Sequence, residues 1–541
     1  MDILNLKINF ERRHRLIKPK NKFSFLIPSI ADFLFLAIFL LICLSVGISL
    51  LADGDTGYHI RAGEYILNTL SFPRHDMFSF LSPPLPWTAH EWLSEIIMAV
   101  IHRSFGMTGI VIFFGFLISF AFFLLFKIIR SNNSNIITTT FIVLFAAAAS
   151  QMHWLARPHI FSMILMIVWY YILDLYHYQD RNYLYLFPLI MIIWVNLHGG
   201  FMGGFMLIGI YLLGNFVGCL FPEGDQKEVH LKRFKMLALT TVACLAVSLV
   251  NPYGFHILLF PFKLTSAKYL MDFVSEFVSP NFHAAYVKTF ELLLLFTIAL
   301  LGRSKLRLNI IETVLLLLFT HMSLYSARYI PLFAIVAAPI IARQLQTIED
   351  QSSGRFAAFM RKRASNIAAI DAAATGYFWP FVSLILVISL AAAGKVEFKF
   401  DKKIKAVAAV EFLKKEKISG HMFNNDEFGD YIIYSAYPLY KVFIDGRLDM
   451  YGVNNVKEYR KVINFEQGWE KILDKYEISW IIFDADSAFS RFLLMHKEWK
   501  LIYADKVANI FVKNIAANQY LIDKYPSVKP VVIEDKEDAA K

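Results

Sequence analysis

The sequence has few charged residues and almost no cysteine. Charged side chains make up 18% of its 541 residues, whereas an average soluble domain has about 25%. The three cysteines, Cys43, Cys219 and Cys244, all lie in apolar segments, so the sequence contains no disulfide framework and no CxxC site. It also lacks a P-loop, a GxGxxG sequence after a strand and zinc-finger spacing. The sequence therefore does not support a P-loop NTPase, a dinucleotide enzyme or a zinc-finger protein.

Apolar residues, by contrast, are abundant. Hydrophobic residues make up 57% of the chain, aromatic residues 16%, and the mean hydropathy is +0.49. Several apolar runs reach the roughly 18–20 residues that cross a ~30 Å hydrocarbon layer. The first run, 25–51, is longer than the core of a signal peptide and lacks a small-residue cleavage site. These features predict a polytopic α-helical membrane protein whose first span is retained.

Hydropathy predicts about 11 transmembrane helices. They are expected at 25–51, 107–127, 136–152, 159–177, 183–196, 201–221, 234–250, 289–302, 308–326, 329–343 and 376–394. Lysine and arginine favour the cytoplasmic side of short loops. The N-terminus and the loops after even-numbered spans hold 22 basic residues, against 8 in the other loops up to residue 376. We therefore assign the net charge of +10 to membrane orientation rather than to nucleic-acid binding.

This orientation predicts four parts of the chain. A basic N-terminus (1–24) lies inside, and a transmembrane domain (25–394) follows, with a large first outer loop (52–106). An extracytoplasmic α/β domain (395–515) and a polar tail (516–541) complete the chain. Strands are predicted in the α/β domain at 421–423, 441–447, 478–483, 499–503 and 508–512, alternating with helices at 404–415, 428–435 and 487–495.

Histidines, carboxylates, amides and arginines gather at the outer ends of the predicted helices. Such groups at the edge of hydrocarbon are costly and tend to mark a functional cavity. The set comprises Asp53, Asp55, His59, Arg61, His90, Glu91, Arg157, His159, Asn196, His198, Glu276 and Arg328. Simpler roles stay open for single residues: Asp55 could only cap a helix over 55–70, and Arg328 could be a snorkelling interface anchor.

The first outer loop carries three sequence blocks in a fixed order. They are D53-G-D-T-G-Y-H-I-R-A-G63, P73-R-H-D-M-F-S79 and W87-T-A-H-E-W-L93. With these blocks, the many spans and the terminal outer domain, the sequence resembles the GT-C superfamily. Members are membrane glycosyltransferases that use lipid-phosphate-linked sugars. The blocks are similar to those of a bacterial branch related to the dolichyl-phosphate-mannose protein mannosyltransferases.

The resemblance implies a glycosyltransferase of the bacterial cytoplasmic membrane. A sugar would pass from a polyprenyl-phosphate donor to a glycan, protein or lipid acceptor on the outer face, among membrane lipids and without nucleic acid. Asp55 would take the proton of the acceptor hydroxyl, with Asp53 as the alternative base. Arg61, Arg157 and Arg328 would contact the phosphate, because a guanidinium matches its oxygens. The remaining substrate-binding candidates are His59, His90, Glu91, His159, Asn196, His198 and Glu276.

Two further points stay open. The cofactor is unknown; a divalent metal ion such as Mn²⁺ or Zn²⁺ could bind among Asp55, His59, His90 and Glu91. In the α/β domain, Asp445, Arg447 and Asp449 could help to bind the acceptor or could form a salt-bridged loop.

Two other classes of protein also remain possible. One is a transporter or flippase of a lipid-linked substrate, which would predict internal repeats and broken spans with midplane charges. The other is a non-catalytic membrane scaffold.

Overall fold

The computed structural model describes residues 23–132, 134–222, 224–274, 276–374 and 377–531. Most of the predicted basic N-terminus and the end of the predicted polar tail lie outside these residues. Within the described residues, seven helices are long and apolar enough to cross a membrane: Ile30–Leu51, Trp92–Ser131, Ile136–His153, His159–Gln179, Gly199–Leu220, Ala285–Arg303 and Ala327–Gln351. The chain is a multi-pass membrane protein.

The α-helices are numbered in chain order. They are α1 Ile30–Leu41, α2 Thr56–Thr69, α3 Trp92–Ser131, α4 Ile136–Ser150, α5 His159–Gln179, α6 Phe187–Leu197, α7 Met202–Leu220, α8 Lys227–Ser248, α9 His256–Ser266, α10 Lys268–Met271, α11 Lys288–Arg303, α12 Ile310–Tyr325, α13 Ile330–Gln351, α14 Arg355–Asp371, α15 Phe378–Ala392, α16 Val407–Glu416, α17 Asp426–Ala436, α18 Leu448–Ile463, α19 Trp469–Lys475, α20 Ala488–Met495 and α21 Gln519–Lys524.

A helix occurs at each of the eleven predicted spans. Besides the seven long helices, three shorter apolar helices occur at Leu184–Leu197, Ile310–Tyr325 and Phe378–Ala392. The remaining position is that of α8, whose first turns carry charged residues. Eleven membrane crossings therefore stay a prediction. The second predicted span is only part of α3, which kinks at Gly106, where φ is +62°. Glycine adopts this left-handed conformation without steric cost.

The C-terminal part of the chain contains a four-stranded sheet. Its strands are β1 His421–Asn424, β2 Ile478–Asp484, β3 Trp499–Ala504 and β4 Ala508–Lys513, in the order β1-β2-β4-β3. The pairing of β1 with β2 is parallel, whereas β4 is antiparallel to both β2 and β3. Helices pack around this sheet, as expected for a small α/β domain. Its predicted bounds, 395–515, stay a prediction.

The predicted strand at 441–447 is wrong. This segment does not pair within the sheet; instead it lies beside the first outer loop. The backbone N–H of Val442 donates to the Phe78 carbonyl at 3.0 Å, and Phe80 N–H donates to the Val442 carbonyl at 3.3 Å. Val442, Phe443 and Ile444 are buried where these two parts of the chain meet. A hydrophobic pattern alone does not distinguish such a buried segment from a sheet strand.

The C-terminal domain therefore docks on the first outer loop. Helix α17, capped by the Asn425 side chain, packs against α2. The approach is close because a Cβ at Gly57 would lie 2.9 Å from the Asp430 carbonyl oxygen. Arg447 reaches from the domain to Asp76 of the loop, with a nitrogen-to-oxygen distance of 2.8 Å. The loop and the domain are therefore in direct contact.

Candidate functional site

A cavity of about 490 Å³ lies between the C-terminal domain and the helix ends beside the first outer loop. Its polar lining comes from distant parts of the chain, and the docking just described adds the side chains of the C-terminal domain. The charged and histidine side chains in its wall are Asp53, Asp55, His90, Glu91, Arg157, Glu276, Arg328, Asp426, Glu427, Asp430 and Asp449. Seven of the twelve site residues predicted from sequence are in this set.

Arg157 lies at the centre of three carboxylates. It occupies the turn between α4 and α5, and its Nη1 donates to Asp53 Oδ2 at 2.6 Å and to Glu276 Oε1 at 2.7 Å. Its Nη2 lies 2.6 Å from Asp55 Oδ2. All four side chains are mostly shielded from solvent. Charge-assisted contacts of this kind are short and strong, so one guanidinium holds acids from three separate segments.

Asp55 does not act as a simple helix cap. It precedes α2, but its side chain makes no capping hydrogen bond to the helix. Its Oδ2 contacts Arg157, and among the described residues its Oδ1 has no hydrogen-bond partner. A Cβ at position 446 would overlap Oδ1, so Gly446 allows the C-terminal domain to approach this atom. The free oxygen of Asp55 is therefore directed towards that domain.

The environment sets the pKa values of Asp55 and Glu276 in opposite directions. Burial raises the pKa of Asp55 well above its ordinary value; Arg157 opposes this, whereas Asp53 and Glu276 add to it. Burial also acts to raise the pKa of Glu276, but Arg157 and Arg328 outweigh it and lower that pKa to about 2. Glu276 stays ionised, while Asp55 becomes a carboxyl group able to exchange a proton nearer to neutral pH.

A smaller, more apolar pocket of about 110 Å³ adjoins the cavity. Arg157, Glu276 and Arg328 line both. The other lining residues of the apolar pocket are His153, His159, Ser162, Met163, Met166, Trp194, His198, Gly200, Tyr329, Pro331 and Leu332. The boundary between the pockets is thus charged, and the far end of the smaller one is apolar.

Arg328 and His198 present hydrogen-bond donors at this boundary. The Arg328 guanidinium lies over the Phe277 ring, 4.9 Å from its centre, and within the described part of the chain it has no ion-pair partner. His198 Nδ1 accepts from the Gly200 N–H at 2.9 Å, so the neutral ring carries its proton on Nε2. That Nε2 lies 3.3 Å from Glu91 Oε1. Arg328 is therefore available to bind an anion at the boundary between the two pockets.

His59, His90 and Glu91 lie close together, with His90 and Glu91 in the cavity wall and His59 buried next to Glu91. His59 Nε2 lies 3.5 Å from Glu91 Oε2, and its Nδ1 lies 3.3 Å from Glu95 Oε1. His90 Nε2 lies 3.6 Å from Glu91 Oε1. His59 is 1% exposed and does not line the cavity. It contacts Glu91 from the buried side and so helps to position that carboxylate.

Arg61 and Asn196 line neither pocket. Arg61 Nε donates to the Tyr434 carbonyl at 2.8 Å and Nη1 to Glu64 at 2.6 Å; it ties α2 to α17. Asn196 accepts from Trp92 Nε1 at 2.8 Å and donates to the Val250 carbonyl at 2.9 Å. Their hydrogen bonds hold neighbouring segments together, and these positions do not support a contact with substrate.

The C-terminal domain contributes site residues that the sequence did not reveal. Asp430, one turn into α17, is 2% exposed, and its Oδ1 accepts from the Gly446 N–H at 3.0 Å. Burial raises its pKa well above the ordinary value, and Asp55 and Asp445 add to this. Asp449 lines the cavity, whereas Asp445 and Arg447 form the salt-bridged loop considered above. No spacing in the sequence links Asp430 to Asp55, so no sequence signal could have paired them.

The predicted metal ligands do not gather around one point. Among the described residues, no group of three or more histidine, cysteine, aspartate or glutamate side chains could hold a metal ion. Asp55 contacts Arg157, whereas His59 and His90 each contact Glu91 through a different carboxylate oxygen. The side chains in this arrangement do not fit a metal, and the cofactor remains open.

Among known proteins, the chain matches solved structures by its fold. No protein-family model and no curated protein matches the chain. The apo oligosaccharyltransferase of Archaeoglobus fulgidus superposes with a TM-score of 0.56 and 12% identity, covering 91% of this chain and 75% of that one. AglB of the same organism, in complex with an inhibitory peptide and a dolichol-phosphate, gives 0.55 and 13%, covering 86% and 71%. At these identities the likeness shows the fold alone. The chain shares the fold of these archaeal oligosaccharyltransferases, which agrees with the resemblance to the GT-C superfamily seen in its sequence.

Proposed function

We propose that the protein transfers a sugar from a polyprenyl-phosphate donor to an acceptor at the outer face of a bacterial cytoplasmic membrane. The observation that carries the proposal is the shared wall of Arg157, Glu276 and Arg328 between a polar cavity and an apolar pocket. A lipid-phosphate-linked sugar needs such a junction, because its tail is apolar, its phosphate is charged and its acceptor is polar. The bound dolichol-phosphate and peptide of AglB support the same classes of ligand.

The apolar pocket is assigned to the donor. Met163, Met166 and Leu332 would contact the first isoprene units, since they form its apolar end. Arg328, whose guanidinium has no ion-pair partner among the described residues, would contact the phosphate, and His159 and His198 line the same pocket. Preorganised cations at the leaving group stabilise the charge that develops on it.

Asp55 is assigned the role of general base. Asp53 is the weaker candidate because both of its oxygens are in use: Oδ1 accepts from the Asp55 N–H at 2.8 Å, and Oδ2 accepts from Arg157. Asp55 Oδ1 is free to accept the acceptor proton. As the acceptor oxygen bonds to the anomeric carbon, the bond from that carbon to the phosphate oxygen breaks. The proton moves to Asp55, and the polyprenyl phosphate leaves as the anion held by Arg328.

The direct test measures bond cleavage. Purified protein incubated with a polyprenyl-phosphate sugar and a mixture of acceptors is expected to release polyprenyl phosphate, quantified by chromatography. Met163→Trp should fill the apolar pocket and raise the KM for the donor about tenfold, the equivalent of 1.4 kcal/mol. Leu239→Trp, at a side chain that is 63% exposed, should leave the KM unchanged. Movement of the lipid across liposomes without cleavage would contradict the proposal and indicate a flippase, and neither cleavage nor movement would indicate a scaffold.

The rate of transfer should depend on pH through Asp55. Burial raises the pKa of Asp55, and the base works only when it is deprotonated. Activity should therefore be low in acid and increase with pH, with the midpoint of the increase above about 3.9, the ordinary pKa of aspartate. Measuring kcat between about pH 4 and 9 tests this. A rate that does not change over that range would exclude a carboxyl group with a raised pKa as the base.

A further inference from the structure

The carboxylates of the cavity outnumber its cations. Eight carboxylates line it, against two arginines and one histidine. Arg157 contacts three of the acids, and Lys405 lies 3.0 Å from Glu427. Three acids of the C-terminal domain have no ion-pair partner within 4 Å among the described residues: Asp426, Asp430 and Asp449. On the side of the cavity formed by this domain, the carboxylates therefore outnumber the cations that pair with them.

Asp430 is the most deeply placed of these acids. It is 2% exposed, and its Oδ1 accepts from Gly446. Its Oδ2 has no hydrogen-bond partner in the described parts of the chain and would lie 3.0 Å from a Cβ at Gly446 and 2.7 Å from one at Gly54. An unpaired buried carboxylate is costly unless it takes up a proton or a cationic ligand compensates its charge. The same Gly446 position adjoins the free Oδ1 of Asp55, so two unpartnered carboxylate oxygens lie near one point.

We infer that the C-terminal domain forms the acceptor subsite and that this subsite binds an acceptor with a protonated amine beside its reacting hydroxyl. The inference rests on the proposed function and names the class of its acceptor. An ammonium group has three donors and no acceptor, so it can bind Asp430 Oδ2 and a second acid such as Asp449. The hydroxyl on the neighbouring carbon then faces Asp55 Oδ1. Amino sugars and the amino-alcohol headgroups of lipids share this chemistry.

The test measures binding without any donor. Isothermal titration of the full-length protein in detergent compares D-glucosamine with N-acetyl-D-glucosamine, which keeps the ring but loses the charge. Glucosamine should bind at least about tenfold more tightly, since a hydrogen-bonded charged group contributes roughly 1.5–3 kcal/mol. Ethanolamine, compared with ethylene glycol, tests the lipid-headgroup source. Tighter binding of either amine than of its neutral partner supports the inference, and the stronger of the two identifies the source.

Variants then locate the binding. Asp430→Asn should weaken amine binding by about tenfold or more. If this variant has a lower melting temperature, Asp449→Asn is used in its place to test the same subsite. Asp486→Asn, an exposed acid paired with Arg491, should change nothing. Equal binding of amines and neutral partners, or unchanged binding in both cavity variants, overturns the inference. Binding of Mn²⁺ that depends on Asp430, without competition from glucosamine, would also overturn it. These binding measurements do not depend on sugar transfer. A failure of the proposed transfer activity would be detected separately, in the assay for polyprenyl-phosphate release.

Discussion

Asp55→Asn should reduce sugar transfer by about 10²–10⁴-fold, the usual contribution of a general base. The carboxamide is the same size as the carboxylate but cannot take up the proton of the acceptor. Arg157 would keep its contacts with Asp53 and Glu276, so the site should stay assembled. The measurement is release of polyprenyl phosphate, with membrane insertion and melting temperature checked in parallel.

Asp53→Asn is the matched comparison for this variant. Because Asp53 accepts two hydrogen bonds and offers no free oxygen, its replacement should reduce activity less than that of Asp55. Asp486→Asn should retain full activity, since its side chain is exposed and distant from both pockets. Near-normal turnover by Asp55→Asn would remove Asp55 from the mechanism. A larger loss in Asp53→Asn would assign the base to Asp53.

The second large effect is expected at the contact between the C-terminal domain and the first outer loop. Arg447→Met should lower the free energy of unfolding by about 3–5 kcal/mol, because it leaves two buried carboxylates without their cation. Arg447 is 2% exposed and lies 2.8 Å from Asp76 and 2.7 Å from Asp445. Its guanidinium also lies over the Trp87 ring, 4.6 Å from the centre. Thermal unfolding in detergent measures the loss as a lower melting temperature.

Two further variants show whether charge burial is the cause. Arg491→Met removes an arginine from an exposed pair with Asp486 and should change stability by less than about 0.5 kcal/mol. The triple variant Asp76→Asn, Asp445→Asn and Arg447→Met removes the unpaired charges and should recover part of the loss. An unchanged melting temperature for Arg447→Met would show that the docking of the domain does not depend on this ion-pair cluster.

Much of the membrane architecture followed from local pattern. Apolar runs of sufficient length predicted the positions at which helices occur, since a helix satisfies its own backbone hydrogen bonds. The polar residues after the first span also indicated a site, and Asp53, Asp55, Arg157, Glu276 and Arg328 do line one cavity. The segment 441–447 was predicted wrongly because a buried extended segment has the same pattern whether it joins a sheet or packs on a loop.

The partners of each charged residue could not be read from the sequence. Arg61 and Arg157 are both outer arginines, yet one ties α2 to α17 while the other holds three carboxylates. Asp430 lies 375 positions after Asp55, and only the packing of α17 on α2 brings them to the same cavity. The sequence alone determined that the chain is a membrane protein with carboxylates after its first apolar run, because hydrophobicity and helix periodicity are local properties. Only the tertiary structure decided which acid has a free oxygen and which faces a cation, because ion pairing depends on distances between segments far apart in the chain.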